Sequence, residues 1–174
     1  MIHLHKIREL ILTAPSGSGR SCHLSAASGL VQVGDFLYVI ADDEYHLGVF
    51  PANTDIPGYL LALFSGVLPA SKQEHKALKP DLEALTLLPP FEGYPTGALL
   101  ALGSGSKPKR QTGVLIALDA QGRVDGPPQL IDFSKWYDAL KQYFDDTNIE
   151  GAVVRRDSLI LLQRGNKKTK QNAL

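Results

Sequence analysis

Asp42, Asp43, Glu44 and His46 crowd the chain's densest group of metal-ligating side chains into one short stretch. Carboxylates at a strand end suit Ca²⁺ or Mg²⁺, although the spacing lacks the alternating ligands and the glycine of an EF-hand loop. A solvated Asp-rich turn is the commoner use of such residues, and both readings stand. Glu83 and Glu150 are a second acidic pair, each following an apolar residue and preceding a small one. Like carboxylates held close together raise one pKa or recruit a cation. The bland alternative is that they bond backbone groups in a crowded interior.

Other groups are weaker. His23, Ser25 and Ser28 hint at hydroxyl nucleophile chemistry, but the chain has no Gly-x-Ser-x-Gly elbow. Ala14-Pro15-Ser16-Gly17-Ser18-Gly19-Arg20-Ser21 looks like a P-loop at a glance, with Ala14 in place of its first glycine and Arg20 in place of its lysine. A P-loop needs a following helix to cradle the phosphate. The residues that follow are Ser/Gly-rich and then strand-like, so no nucleotide is expected. Gly103 to Arg110 reads as a flexible loop carrying Lys107, Lys109 and Arg110, able to contact an anion but more often a plain strand connection. Arg164, Lys167, Lys168 and Lys170 form a basic tail. Cys22 is the only cysteine, so no intramolecular disulfide and no thiolate zinc cluster is expected.

The elements that must position these residues are short apolar runs between turn residues. Runs over 28–33 and 36–41, joined by Gly34-Asp35, predict a tight hairpin. Strands over 46–50 and 59–64 complete a four-stranded meander. The pattern returns at 82–88, 98–103, 112–119 and 128–133, and again at 149–154 and 158–163. One short helix is expected near 134–144, with Ser134 as its cap and Trp136, Leu140 and Phe144 on its buried face. Ala27-Ser28-Gly29-Leu30, Leu82-Glu83-Ala84-Leu85 and Ile149-Glu150-Gly151-Ala152 open the three groups alike. Four-stranded groups repeating every 40–50 residues or so mark β-propeller blades, and the small residue fits a crowded central axis. The expectation is an all-β single domain, 1–174: a partial β-propeller of about two and a half blades. Its blade-like groups are 27–65, 81–133 and an incomplete 149–174, and 7–13 is an orphan strand. A closed propeller needs more blades, so the chain reads as truncated or as completed by association. An unpaired sheet edge would be a template for self-association.

Composition excludes several classes. There are 18 Lys+Arg against 18 Asp+Glu, a formal net charge of +0, so no basic excess is available to neutralise nucleic-acid phosphates or to hold a membrane surface. At 44% hydrophobic and 21% charged, the chain is too apolar for disorder. Met1 to Glu9 carries charges early and has no long apolar run, so neither a signal peptide nor a membrane span is expected and the default compartment is the cytoplasm.

The stretches 25–30, 41–50, 79–86, 101–106 and 148–153 resemble an uncharacterised bacterial family, known only as a domain of unknown function, whose members run longer and look like distant relatives of phytase-like (esterase-like) β-propellers. That resemblance implies a divalent cation, Ca²⁺ or Mn²⁺, held by acidic residues near Glu83 and Glu150, and the carboxylate-rich turn adds Asp42 and Asp43 as the further residues expected to hold it. The function expected is metal-assisted, hydrolase-like binding of an anionic phosphoester or ester substrate, the cation acting as a Lewis acid. Two alternatives are a non-catalytic ligand- or protein-binding propeller module and a truncated form without activity of its own.

Overall fold

The computed structural model describes residues 2–166 and 170–174. Lys167 and Lys168, part of the basic tail, lie outside the described residues. The chain is mostly β, in antiparallel sheets. β1 (Ala27–Val33), β2 (Phe36–Ala41), β3 (His46–Pro51) and β4 (Tyr59–Ala62) form one four-stranded meander. β5 (Leu82–Leu88), β6 (Ala98–Gly103), β7 (Thr112–Ala117) and β8 (Gln129–Asp132) form a second. β9 (Ile149–Arg155) and β10 (Ser158–Gln163) form a two-stranded sheet. The first hairpin turns at Gly34-Asp35 as expected: Val33 pairs with Phe36 across it, and Gly34 takes a φ of 54°.

Strand alternation builds two cores on the faces of the second sheet, beside a smaller third cluster of Leu12, Val39 and Phe50. Successive side chains of a strand leave opposite faces, and β6 is buried along its whole length. Leu99 and Ala101 pack with Tyr38, Ile40, Leu47 and Val49 of the first sheet. Ala98, Leu100 and Leu102 face Ile149, Leu159 and Leu161 of the third. The second sheet is thus covered on both faces, which explains its uninterrupted apolar run Ala98-Leu99-Leu100-Ala101-Leu102. The opening strands meet one another: β1 contacts β5, and β5 contacts β9. Among the described residues, no helix is long and apolar enough to cross a membrane.

Three expectations need correction. Among the described residues there are two helices, α1 (Lys72–Leu78) and α2 (Ser134–Leu140), with a 3₁₀ turn at Pro108–Arg110. α1 buries no residue, so it has no apolar periodicity to betray it. In α2 the capping group is the Asp132 carboxylate, which accepts the Ser134 N–H at 2.8 Å. Its buried anchor is Tyr137 at 3% exposure, while Trp136 is 52% exposed. The stretch 7–13 forms no strand. Leu12 makes a single parallel bridge to Gly58, and Arg8 anchors the arm by donating to the carbonyls of Pro51, Thr54 and Ile56.

Candidate functional site

The three sheets open on the same irregularity. In the first, Ala27 pairs with Ala41 and Gly29 with Ile40. In the second, Leu82 pairs with Gly103 and Ala84 with Leu102. In the third, Ile149 pairs with Gln163 and Gly151 with Leu162. Ser28, Glu83 and Glu150 are therefore the extra residues of three equivalent β-bulges, a device that re-aims a side chain out of the ladder's alternation. The strand ends are closed alike. The N–H groups of Asp42, Ser104 and Arg164 donate to the carbonyls of Ala26, Asp81 and Asn148, at 3.1, 2.9 and 2.9 Å.

Two elements of this frame bring carboxylates together. Asp42 follows β2, and Asp81 precedes β5 in a left-handed backbone conformation, with a φ of 57°. Oxygens of Asp42, Asp81 and Glu83 all lie within 4.8 Å of one another. The Lys79 ammonium bridges Asp42 and Asp81, 2.8 Å from the latter. Arg110 Nη1 and the Ser104 hydroxyl both donate to Asp81 Oδ2, at 2.8 and 2.6 Å. Burial works against the charge on Lys79, but its hydrogen bonds to Asp42 and Asp81 outweigh that and hold its pKa above the ordinary lysine value. Among the described residues no cation pairs with Glu83. Burial, then the charges of Glu150, Asp81 and Asp42, push its carboxyl up to about 7, with the Ser28 hydroxyl partly opposing the rise.

Sequence reasoning placed Asp42, Asp43, Glu83 and Glu150 together. Asp42 and Glu83 do meet. Glu150 is held by Arg164 at 2.7 Å and by the Asn148 amide at 2.8 Å. Asp43 turns away to the Ser25 hydroxyl at 2.6 Å and to Arg20. Asp81, Lys79 and Arg110 were missed as members. Aligning the three openings one residue further back would have placed Asp81 just ahead of its strand.

Lys79 also borders a cleft of about 650 Å³, walled by the loop Ser16–Arg20, the turn Asp43–His46 and α1. Its floor is braced internally. Glu44, 3% exposed, receives Arg20 at 2.8 Å and the Ser16 hydroxyl at 2.8 Å, and His46 Nδ1 lies 3.5 Å away. Burial raises the Glu44 pKa, but His46, Ser16 and Arg20 together hold it below the ordinary value. His75 pins α1 to this floor, with Nδ1 at 3.2 Å from the Pro69 carbonyl and Nε2 at 3.1 Å from that of Asp43. The P-loop look-alike thus forms one wall of the cleft, and no helix follows it. The loop 103–110 folds inward: Ser106 joins Ser104 and Arg110 beside Asp81. Cys22 is exposed and free.

A family model described as "Family of unknown function (DUF6929)" matches residues 23–174, and the chain belongs to that family. No curated protein and no solved structure matches the chain.

Proposed function

We propose that this member of the family is a ligand-binding module of β-propeller type, whose site is the cleft between the Ser16–Arg20 loop, the Asp43–His46 turn and α1. The propeller reading is supported by two successive four-stranded meanders and by the mutual packing of β1, β5 and β9, the strands that would line an axis. The lone cysteine suits a cytoplasmic module. One observation carries the binding reading: a concavity of about 650 Å³, within the range of small-molecule sites, whose walls are braced by their own ion pairs and hydrogen bonds. Such a cleft is preorganised and loses little entropy on binding. Of the hydroxyls lining the cleft, Ser16 donates to the Glu44 carboxylate and Tyr45 to the Leu78 carbonyl. Among the described residues neither Ser16 nor Ser18 is hydrogen-bonded to a histidine that could act as its base, which favours binding over nucleophilic catalysis.

The test is a thermal-shift panel of small metabolites on the wild type and on Gly17→Phe. A Cβ at Gly17 meets nothing closer than Val67 Cγ1, at 4.0 Å, and both residues line the cleft, so the substitution adds bulk at its wall. Hits that raise the wild-type Tm and vanish in Gly17→Phe support the reading. Hits unaffected by the substitution, or no hits, overturn it.

A second reading, a metal-assisted hydrolase-like site for an anionic ester, is favoured by the convergence of Asp42, Asp81 and Glu83. Against it stands Lys79, whose ammonium already compensates two of those carboxylates. A wild-type melt raised by Ca²⁺ or Mn²⁺ and reset by EDTA would favour the hydrolase, and Glu83→Gln and Glu150→Gln would locate the ion.

A further inference from the structure

The face that α1 turns to the cleft is unusual. Positions i, i+3, i+4 and i+7 of a short surface helix normally carry its apolar stripe. Here those positions are Lys72, His75 and Lys76, with Lys79 following as the C-cap, and all four line the cleft. Two are engaged locally: Lys79 by Asp42 and Asp81, His75 by backbone carbonyls. Lys72 and Lys76 pair with no carboxylate among the described residues. They stand one turn apart, where like charges repel, and Lys72 lies in the first turn, where the helix dipole disfavours a cation. A local rule broken twice on one face points to a demand from outside the helix.

Across the cleft, the N–H groups of Gly17, Ser18 and Gly19 donate to no group among the described residues. Arg20, by contrast, is tied to Glu44 and Asp43. The cleft is thus lined on one side by two lysines that pair with no carboxylate among the described residues and on the other by residues 17–19, whose N–H groups have no partner there, in a chain of formal net charge +0. We infer that the cleft takes a phosphate-bearing small molecule, its phosphate held by Lys72 and Lys76 on one side and by the amides of residues 17–19 on the other. This rests on the cleft being the binding site and specifies its ligand. A dianionic phosphate gathers its oxygens tetrahedrally on one centre that both donor sets can share, whereas a dicarboxylate of equal charge splits them between two planar groups.

The experiment titrates inorganic phosphate and pyrophosphate, with malonate as a carboxylate control, at constant ionic strength. Wild type, Lys72→Gln/Lys76→Gln and Gly17→Phe are compared by thermal shift and calorimetry. Expected are an upward Tm shift with the phosphates, apparent affinity at least roughly tenfold weaker in the double variant, and loss of binding in Gly17→Phe. The unliganded double variant should match or slightly exceed the wild-type Tm, because Lys72 and Lys76 are exposed and their mutual repulsion is removed, and Gly17→Phe should keep it, since a Cβ there meets nothing closer than 4.0 Å. No response to either phosphate, malonate binding as tightly, or an unchanged double variant overturns the assignment. A neutral panel ligand lost in Gly17→Phe but indifferent to the lysines would overturn the phosphate while leaving the cleft as the site.

Discussion

Glu83 and Glu150 occupy the same place in neighbouring sheets, each the extra residue of a bulge on the opening strand. The relationship is unequal. Glu150 has Arg164 and Asn148 as partners. Glu83 forms no ion pair among the described residues and faces three nearby carboxylates; burial and their charge push its pKa up to about 7, with Ser28 partly opposing the rise.

That inequality sets a pH dependence. The folded pKa of Glu83 lies above its unfolded value of 4.5, so between the two the folded state holds the proton more tightly. Stability then falls as pH rises through this window. The penalty is absent below 4.5 and complete above about 7. Glu83→Gln should melt with the wild type near pH 4.5. Above pH 7 it should melt higher, by at least about 2–4 °C, the shift that roughly 1 kcal/mol produces in a chain of this size. Melting curves of the two proteins across pH 4.5–8 check this, and parallel curves would remove Glu83 as the cause.

The small residue after each bulge has a different reason in each sheet. A Cβ on Gly29 would lie 3.0 Å from Leu85 Cβ and 3.1 Å from its backbone N, where β1 meets β5. A Cβ on Gly151 would meet Leu162 Cβ at an ordinary 3.4 Å. Gly29→Ala should destabilise by about 1–3 kcal/mol. Gly151→Ala should be neutral, or stabilise by up to about 1 kcal/mol through the unfolded chain. Urea midpoints decide, and equal effects would contradict the packing of the opening strands.

Among the described residues, β10 has a strand partner only on its β9 side, and its far side makes one bridge, Gln163 to Ala173. Leu162 is 42% exposed beside that edge. An open edge with exposed apolar side chains invites a second chain. Sedimentation should therefore be concentration-dependent, and Leu162→Lys should shift it toward monomer. A wild type sedimenting as monomer at all concentrations would show that the edge is protected.

Most of the strand pattern was readable because turn residues punctuate it: Gly34-Asp35 and Gln121-Gly122 mark reversals that local chemistry imposes. α1 was not readable by periodicity, since its stripe is Lys72, His75 and Lys76, with Lys79 as the C-cap, rather than apolar. Its content of good helix formers was the remaining clue. At the site, the repeat alignment exposed Glu83 and Glu150, because a bulge recurs at a fixed place in each opening strand. Asp42 and Asp81 belong to different sheets and meet only through packing, so no spacing in the sequence could pair them. Trp136 and Tyr137 were exchanged because one residue's rotation of a short helix decides which ring is buried.

Lys79 stands where the acidic cluster and the cleft touch, and its charge decides how the cluster behaves. Lys79→Met keeps the volume and removes the ammonium, leaving Asp42, Asp81 and Glu83 oxygens within 4.8 Å with Arg110 as their remaining cation. Breaking a largely buried ion pair from one side costs several kcal/mol, and at 15% side-chain exposure for Lys79 about 2–4 kcal/mol is expected at neutral pH. The three carboxylates then form an oxygen set suited to a hard divalent cation, so Ca²⁺ or Mn²⁺ should recover part of the lost Tm in Lys79→Met. The same ions should leave the wild type unmoved. Acid should also recover stability in the variant, because protonation removes the same repulsion. Paired melts of wild type and Lys79→Met, with each metal, with EDTA and at pH 5, separate the outcomes. A wild type that itself responds to metal would mean the ammonium yields to the ion, and would move the functional reading to metal-assisted hydrolysis. A variant indifferent to both metal and acid would mean that Arg110 alone balances the cluster.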